Sequence, residues 1–261
     1  MSHLFDNIGP IWLDNARYFA TFYLAFTFGL WFLIWVVLAP WLRERKIRSE
    51  SPGLHHMASE IFCSLRTILV FATVTIFTNL MFRLGLYPLV KIGDGLGPVW
   101  FWASLGLMIL AHDGYFYWVH RAMHLPQFFR HVHRRHHLSH NPSPFTAYSF
   151  DLWEAVLMAS FVVIWPLFTP TPSGVVNLFM LHQIARNTLL HTGYELMPIR
   201  ADGRPWLDMI TTTTHHDQHH GRGGNYGLYF TWWDRWMKTE RHDYHNALAR
   251  FAPRRPPRTH G

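Results

Sequence analysis

Three short histidine-rich stretches, His120-Arg-Ala-Met-His124, His133-Arg-Arg-His136-His137 and His216-Asp-Gln-His219-His220, decide how this chain is expected to fold. Side chains spaced i, i+3 and i+4 share one face of a helix, so each stretch is predicted to present two or three imidazoles in one direction. Neutral imidazole is a common ligand for iron, zinc, copper and nickel. Because eight such ligands exceed the four that one tetrahedral zinc takes, the pattern favours two metal ions side by side.

One further histidine completes the predicted ligand set. His191 ends an apolar segment, and it follows Gln183 and Asn187 at spacings of four, which predicts a polar stripe on one helix face. His112 and His182 remain alternatives for a tenth ligand. The predicted metal ligands are His120, His124, His133, His136, His137, His191, His216, His219 and His220.

Two other residues near these stretches have two interpretations each. Asp113 precedes His120 by seven residues on the same helical face, and it either orients a ligand or is a capping or surface residue. His215 points away from the predicted ligand face and is either a residue that supports the ligands or an interfacial one.

Apolar segments alternate with the histidine- and arginine-rich ones. Charged residues make up 15% of the chain, against about 25% in an ordinary soluble domain, and hydrophobic residues make up 49%. The fold expected is an all-α integral membrane protein with four to five transmembrane or re-entrant helices and a cytosol-facing, histidine-rich helical cap. The last two apolar segments are short and form either two thin spans or a re-entrant hairpin. The predicted segments cover residues 18–40, 61–82, 98–118, 153–168 and 175–190.

Lysine and arginine predict the orientation of the chain. Arg43, Arg45, Lys46 and Arg48 follow the first segment, and alternation of the segments then places 18 of the 23 basic residues on one side. Because positive loops stay in the cytoplasm, the N-terminus is expected outside and all three histidine stretches on the cytoplasmic face, in a bacterial inner membrane. The net charge of +7 follows from these loops, and no nucleic-acid-binding signature accompanies it.

The chain divides into three predicted parts. Residues 1–95 are expected to form N-terminal membrane helices, residues 96–245 the metal-binding catalytic domain, and residues 246–261 a basic tail rich in proline and arginine. Residues 253–258 are predicted to be disordered. A single cysteine, Cys63, excludes an internal disulfide and any cysteine-cluster metal site.

The motifs resemble those of a known family. The stretch Phe116-Tyr-Trp-Val-His120, the two HxxHH stretches, His191-Thr-Gly-Tyr-Glu195 and Trp232-Trp-Asp-Arg235 are similar to the fatty acid hydroxylase/sterol desaturase superfamily. The HxxxH spacing of the first stretch is like that of the sterol desaturase branch. The resemblance implies an integral membrane, non-haem di-iron enzyme that uses O2 and an external electron donor of the ferredoxin or cytochrome b5 type with its reductase. Substrates in this family are sterols, fatty acyl chains, sphingolipids, carotenoids and related lipids.

The function expected is therefore O2-dependent hydroxylation or desaturation of a membrane lipid, with two iron ions held by histidine and no further catalytic residue. Zinc has no redox chemistry, so it would not serve this reaction. Three other classes remain: a zinc membrane hydrolase, which would lack the HExxH motif here, a bis-histidine haem protein, and a metal transporter. The lipid, the oxidised carbon, the electron donor and the oligomeric state are not specified by the sequence.

Overall fold

Helices form every regular element in the computed structural model, which describes residues 7–253. In that range the only β pairing is three isolated bridges. The α-helices are α1 (Ile8–Trp31), α2 (Ala39–Leu42), α3 (Leu54–Arg83), α4 (Pro88–Gly95), α5 (Gly97–Met123), α6 (Pro126–Val132), α7 (Arg134–His137), α8 (Leu152–Ile164), α9 (Ser173–Leu190), α10 (Thr213–Arg222), α11 (Trp232–Trp236) and α12 (Tyr244–Ala249). A π-helix (Phe32–Val37) extends α1, and 3-10 turns occupy Arg43–Arg45, Pro144–Tyr148 and Trp165–Leu167.

Two long apolar helices pack against each other. Ile8–Val37 and Leu54–Arg83 have 30 residues each and a mean hydropathy of 1.9 in their most apolar part. Thirty residues rise about 45 Å, more than the ~30 Å of a bilayer core. Most of both helices is not buried inside the protein, so their apolar side chains face outward. These helices contain or overlap the first two predicted segments.

The other three predicted segments are also helical. They correspond to α5, to α8 with the 3-10 turn after it, and to α9, and these helices pack against one another. Only α1 with its extension and α3 are long and apolar enough to cross a membrane by length and composition within residues 7–253. The total of four to five spans stays a prediction.

The helices begin and end at proline and glycine. Proline lies in the first turn of α4, α5 and α6. Backbone N–H groups in a first turn have no partner within the helix, so proline removes no hydrogen bond there. Gly85 ends α3 with a φ of +72°, and the Leu86 N–H donates back to the Met81 carbonyl over 2.9 Å.

A main apolar core joins the long helices to the loop 144–148. Tyr23 of α1, Ile68 of α3, Phe116 of α5 and Leu190 of α9 are buried in it together with Tyr148. A second, smaller cluster joins Ile47, in the segment before α3, to Ile199, Tyr244, Leu248 and Phe251 in the C-terminal part of the chain. The chain is therefore packed as far as Phe251, inside the predicted tail. Most of the segment predicted to be disordered, from residue 254 onward, lies outside the described residues.

A buried carboxylate attaches α3 to the loop that follows α7. Glu60 accepts hydrogen bonds from the hydroxyls of Ser139 (2.7 Å), Ser143 (2.5 Å) and Thr146 (2.7 Å). His56, one turn earlier on α3, lies 3.1 Å from the same carboxylate. This network holds the loop against α3, and the 3-10 turn Pro144–Tyr148 within it also packs against α9.

The segment between α1 and α3 is attached to the histidine-bearing half of the chain. Trp35 donates from Nε1 to the Thr192 carbonyl over 2.8 Å, and Arg45 donates from Nε to the Glu195 carbonyl over 2.6 Å. Arg48 pairs with Asp217 over 2.8 Å. The basic loop therefore lies on the same side of the molecule as the histidine stretches.

Candidate metal centre

All nine predicted ligands lie in two groups, in each of which the candidate ligand atoms are within 4.8 Å of one another. No other group of three or more histidine, cysteine or acidic side chains has such spacing in residues 7–253. The five-histidine group consists of His120, His124, His133, His137 and His219. The four-histidine group consists of His136, His191, His216 and His220.

Helix ends carry these side chains. His120 is in the last turn of α5 and His124 directly follows that helix, whereas His191 directly follows α9. The third histidine stretch lies on α10, as predicted. The second stretch was expected on one helix, but α6 ends at Val132 and α7 begins at Arg134, so His133 lies between two short helices.

The second and third stretches each contribute to both groups. His137 belongs to the five-histidine group and His220 to the four-histidine group, yet their ring centroids are 5.0 Å apart. The rings of His219 and His220 are separated by 5.9 Å. The two groups are therefore direct neighbours, as a dinuclear centre requires.

Backbone carbonyls fix the tautomers in the five-histidine group. Nδ1 of His120 lies 2.8 Å from the Tyr226 carbonyl, and Nδ1 of His219 lies 2.6 Å from the Gly224 carbonyl. A neutral imidazole has one N–H, so donation from Nδ1 leaves a lone pair on Nε2. These Nε2 atoms face other imidazoles at 3.0 Å, since His120 approaches His133 and His219 approaches His137.

One imidazole of the four-histidine group is held in the same way. Nδ1 of His191 lies 2.7 Å from the Asn187 carbonyl, which leaves a lone pair on its Nε2. That atom is 3.0 Å from Nε2 of His216 and 3.2 Å from Nε2 of His220. Lone pairs that face one another at this distance in a buried space repel, and a cation between them turns the repulsion into coordination. The donor set therefore fits one metal ion in each group.

Burial keeps these imidazoles neutral. It lowers the pKa of His120, His124 and His137 to about 3 and that of His191 to about 4. The pKa values of the other five are also lowered well below the ordinary value, with burial as the main cause and the neighbouring imidazoles as the next. A neutral imidazole is the form that binds metal.

A buried carboxylate lies behind the five-histidine group. Oε1 of Glu154, in the first turn of α8, is 2.8 Å from Nδ1 of His133. Nδ1 of His133 makes no hydrogen bond within residues 7–253, so the contact is a close approach of the two groups. A carboxylate this near to a ring nitrogen restricts the orientation of the ring. Sequence reasoning missed Glu154. The signal was a lone carboxylate in the apolar segment 153–168, where an acidic residue is energetically expensive.

Asp113 has a different role from either one expected. Its Oδ1 accepts from the backbone N–H groups of Tyr229 (3.0 Å) and Phe230 (3.2 Å), and its Oδ2 accepts from Nε1 of Trp232 (2.7 Å). Asp113 therefore fixes the segment after the glycine-rich turn to α5, and none of its hydrogen bonds within residues 7–253 is to an imidazole.

Asp234 supports a ligand through the backbone. Its carboxylate accepts from the N–H groups of Tyr226 and Gly227, both over 2.8 Å, and the Tyr226 carbonyl in turn holds His120. His215 is fully buried, with Nε2 3.6 Å from Asp234, so it is not interfacial.

Neither alternative tenth ligand joins a group. The ring of His112 lies among aromatic rings, with centroids 4.9 Å from Phe161 and 5.0 Å from Phe179. His182 lies against Tyr229 at 4.9 Å.

The rest of the predicted polar stripe on α9 also faces other partners. Gln183 accepts from the Tyr148 hydroxyl over 3.0 Å, and the Asn187 amide donates to the Ala147 carbonyl. Of the three stripe residues, His191 alone contributes a ring nitrogen to a group.

An apolar cavity of about 580 Å³ lies between α1, α3, α8 and α9. Its inner end, toward the metal groups, is lined by His112, Gln183, Phe71 and Met158. Its lining, drawn from the described residues, includes no lysine or arginine. The volume is in the range of sites that bind small molecules.

The family model described as fatty acid hydroxylase matches residues 105–239, which include all nine histidines. No solved structure matches the chain.

Several curated proteins are similar to the chain. Lathosterol oxidase from Rattus norvegicus is 28% identical over 169 residues, which cover 62% of this chain and 54% of the relative. A very-long-chain aldehyde decarbonylase from Oryza sativa subsp. indica is 28% identical over 203 residues, which cover 72% of this chain and 71% of the relative. The C-4 methylsterol oxidase of Schizosaccharomyces pombe is 24% identical over 234 residues, which cover 83% of this chain and 73% of the relative. The chain thus spans about half the length of the lathosterol oxidase. With the two long apolar helices, these relatives indicate a membrane protein.

Proposed function

Because the chain belongs to the fatty acid hydroxylase family, we propose that it is a membrane oxidoreductase that uses O2 and two iron ions to hydroxylate or desaturate a lipid. The observation that carries the proposal is the convergence of nine imidazoles into two adjacent groups. Iron bound there would supply the redox chemistry that breaks an unactivated C–H bond. The catalytic domain is proposed to be residues 96–245.

The protein's own residues have three tasks in this proposal. The nine histidines hold the metals, and Glu154 keeps the ring of His133 in one orientation. The carbonyls of Tyr226, Gly224 and Asn187 keep their imidazoles in the ligand tautomer. Burial excludes bulk water, which protects a reactive centre from side reactions. None of the histidines needs to transfer a proton.

We propose an uncharged lipid as the substrate. A carboxylate or phosphate in the cavity would have no cationic partner, because its lining has no lysine or arginine among the described residues. The names of the relatives point the same way, since they refer to sterols and to very-long-chain aldehydes.

The metal groups are proposed to face the cytoplasm, with the N-terminus outside. Support comes from the bonds of Arg45 and Arg48 to the histidine-bearing half, which place the basic loop and the metal groups on one side. A soluble electron donor, of the ferredoxin or cytochrome b5 type with its reductase, would reach the centre from there. A bacterial inner membrane remains the predicted location.

The main alternative is a zinc membrane hydrolase. Four imidazoles would suit tetrahedral zinc, but five in the neighbouring group exceed its usual coordination. Metal analysis of the purified protein separates the two: iron with O2 consumption supports the proposal, and zinc with O2-independent turnover refutes it.

Two substitutions test the ligand role, one in each group. His136→Ala and His219→Ala are expected to lower bound iron and to abolish product formation, because each removes a nitrogen that no neighbour replaces. The matched control is His131→Ala, since His131 is exposed and belongs to neither group. Iron is measured by elemental analysis, and products by lipidomics for species that gain one oxygen or lose two hydrogens. Full iron content and full turnover in either variant would exclude that residue as a ligand.

A further inference from the structure

Three buried polar atoms near the inner end of the cavity have no hydrogen-bond partner in residues 7–253: Nδ1 of His112, Nδ1 of His182 and the hydroxyl of Tyr229. The ring of Tyr229 lies between the two imidazoles, 5.5 Å from His112 and 4.9 Å from His182 by centroid. A buried polar group left without a partner is destabilising, so three in one place indicate a missing partner.

His112 connects this set to the cavity. Its side chain lines the cavity although only 3% of the residue is exposed. The surroundings of the ring are otherwise aromatic, with Phe161 and Phe179 on its edges. A histidine in such a place has no structural partner to stabilise it, and it offers one donor and one acceptor to a ligand.

We infer that this cavity binds a neutral lipid by its hydroxyl or carbonyl oxygen, which is held by His112 and Tyr229. The inference rests on the proposed function, since it takes the cavity as the substrate site. An imidazole and a phenol can each donate to or accept from such an oxygen. The residues that line the cavity, His112 among them, include no lysine or arginine for a carboxylate or phosphate to pair with.

The position of the pair also orients the lipid. His112 precedes His120 on α5, and Gln183 precedes His191 on α9, by two helical turns each, or about 12 Å. The rest of the cavity extends away from the metal groups, along the halves of α1 and α3 that carry Tyr18 and Thr78. The oxygen-bearing end of the lipid would therefore point toward the metals, with the hydrocarbon behind it.

Phe116 separates the two sites. Its ring centroid is 6.1 Å from that of His112 and 4.9 Å from that of His120. Phe116 therefore lies between the proposed oxygen site and the nearest ligand, His120.

The test compares two probes that differ in one oxygen, 1-octadecanol and octadecane, by equilibrium binding to the full-length protein in detergent. Wild type is expected to bind the alcohol about 2- to 10-fold more tightly, the effect of one neutral hydrogen bond. Tyr229→Phe and His112→Leu should each bring the ratio of the two affinities toward one. Octadecanoate should bind more weakly than the alcohol, because no cation lines the cavity.

Tyr115→Phe is the matched control. The ring of Tyr115 is also near that of His112, with centroids 6.3 Å apart, but its hydroxyl is already bonded to the Leu157 carbonyl over 2.8 Å. This variant should keep the wild-type ratio. Tyr229→Phe removes a hydroxyl that has no partner in the described chain, so the variant should fold even if His112→Leu does not.

Equal affinity of wild type for the two probes, or an unchanged ratio in Tyr229→Phe and in folded His112→Leu, would overturn the inference and leave these polar atoms to bound water. Binding is measured without turnover and iron by elemental analysis. Loss of the proposed function through absence of iron is therefore distinguishable from loss of the lipid oxygen site.

Discussion

At the scale of single residues, the candidate centre depends on which nitrogen of each imidazole carries the proton. Backbone carbonyls decide this for His120, His191 and His219, and no substitution of a side chain removes those carbonyls directly. Glu154 is the exception, because it acts on His133 through a side chain. It is therefore the position at which the orientation of a ligand can be tested without touching the ligand.

Glu154→Leu is expected to weaken metal binding about 10- to 100-fold, the usual effect of removing a partner of a ligating histidine. Glu154→Gln keeps a side chain of the same shape with an oxygen near Nδ1 and should lose less. The measurement is a competition titration with a chelator of known affinity. Glu44→Gln serves as the control, since Glu44 is exposed. Wild-type affinity in Glu154→Leu would mean that the carboxylate does not orient His133.

At the scale of elements, the packing of α4 closes the outer part of the cavity. Gly93 lies against the turn between α8 and α9, where an added Cβ would be 2.7 Å from the carbonyl carbon of Pro170. Backbone cannot move aside as a flexible side chain can. Val90 of α4 and Pro166 of the adjoining 3-10 turn line the cavity, so a shift of α4 changes its shape.

Gly93→Ala is expected to destabilise the protein by about 1–3 kcal/mol, the usual effect of overpacking. Gly95→Ala is a control in the same helix, because nothing lies within 4 Å of its added Cβ. Thermal unfolding in detergent compares the two variants. The interpretation fails if Gly93→Ala unfolds at the same temperature as Gly95→Ala.

The comparison of sequence and structure also belongs to this scale. Spacings of three and four residues predict which imidazoles lie on one face of a helix. This prediction applies where the stretch is in fact a helix, as on α10. The spacing did not predict the break in the helix at His133, because a stretch of five residues carries no signal for the end of a short helix. Glu154 and Asp234 support ligands from elsewhere in the chain, and periodicity contains no information about such tertiary contacts.

At the scale of the whole molecule, nine neutral imidazoles make the protein sensitive to acid. The pKa of His120 in the folded chain is about 3, against an ordinary value of 6.5 that the unfolded chain would show. Between these values the unfolded chain binds more protons, so acidification favours unfolding. Protons also compete with metal for the same nitrogens.

We expect the unfolding temperature and the iron content to be constant above about pH 7 and to fall as the pH is lowered through 6.5 toward 4. Removal of exposed histidine should not change this profile, so His131→Ala is again the control. Thermal unfolding and elemental analysis across the pH range provide the measurement. A constant unfolding temperature from pH 7 to pH 4 would contradict the burial of neutral imidazoles.

The wide separation of the histidines along the chain has a consequence for biosynthesis. Both metal groups draw on the stretch from His216 to His220, whereas the first ligand is His120. At about 5–20 residues per second, a ribosome needs roughly 5–20 s to translate from one to the other. During that interval the chain already carries His120, His124, His133 and His137, but the members of both groups that lie on α10 are still missing. If the two groups bind iron as proposed, neither group is complete before the last stretch is translated, and a cell short of iron would accumulate full-length chains without metal rather than truncated ones.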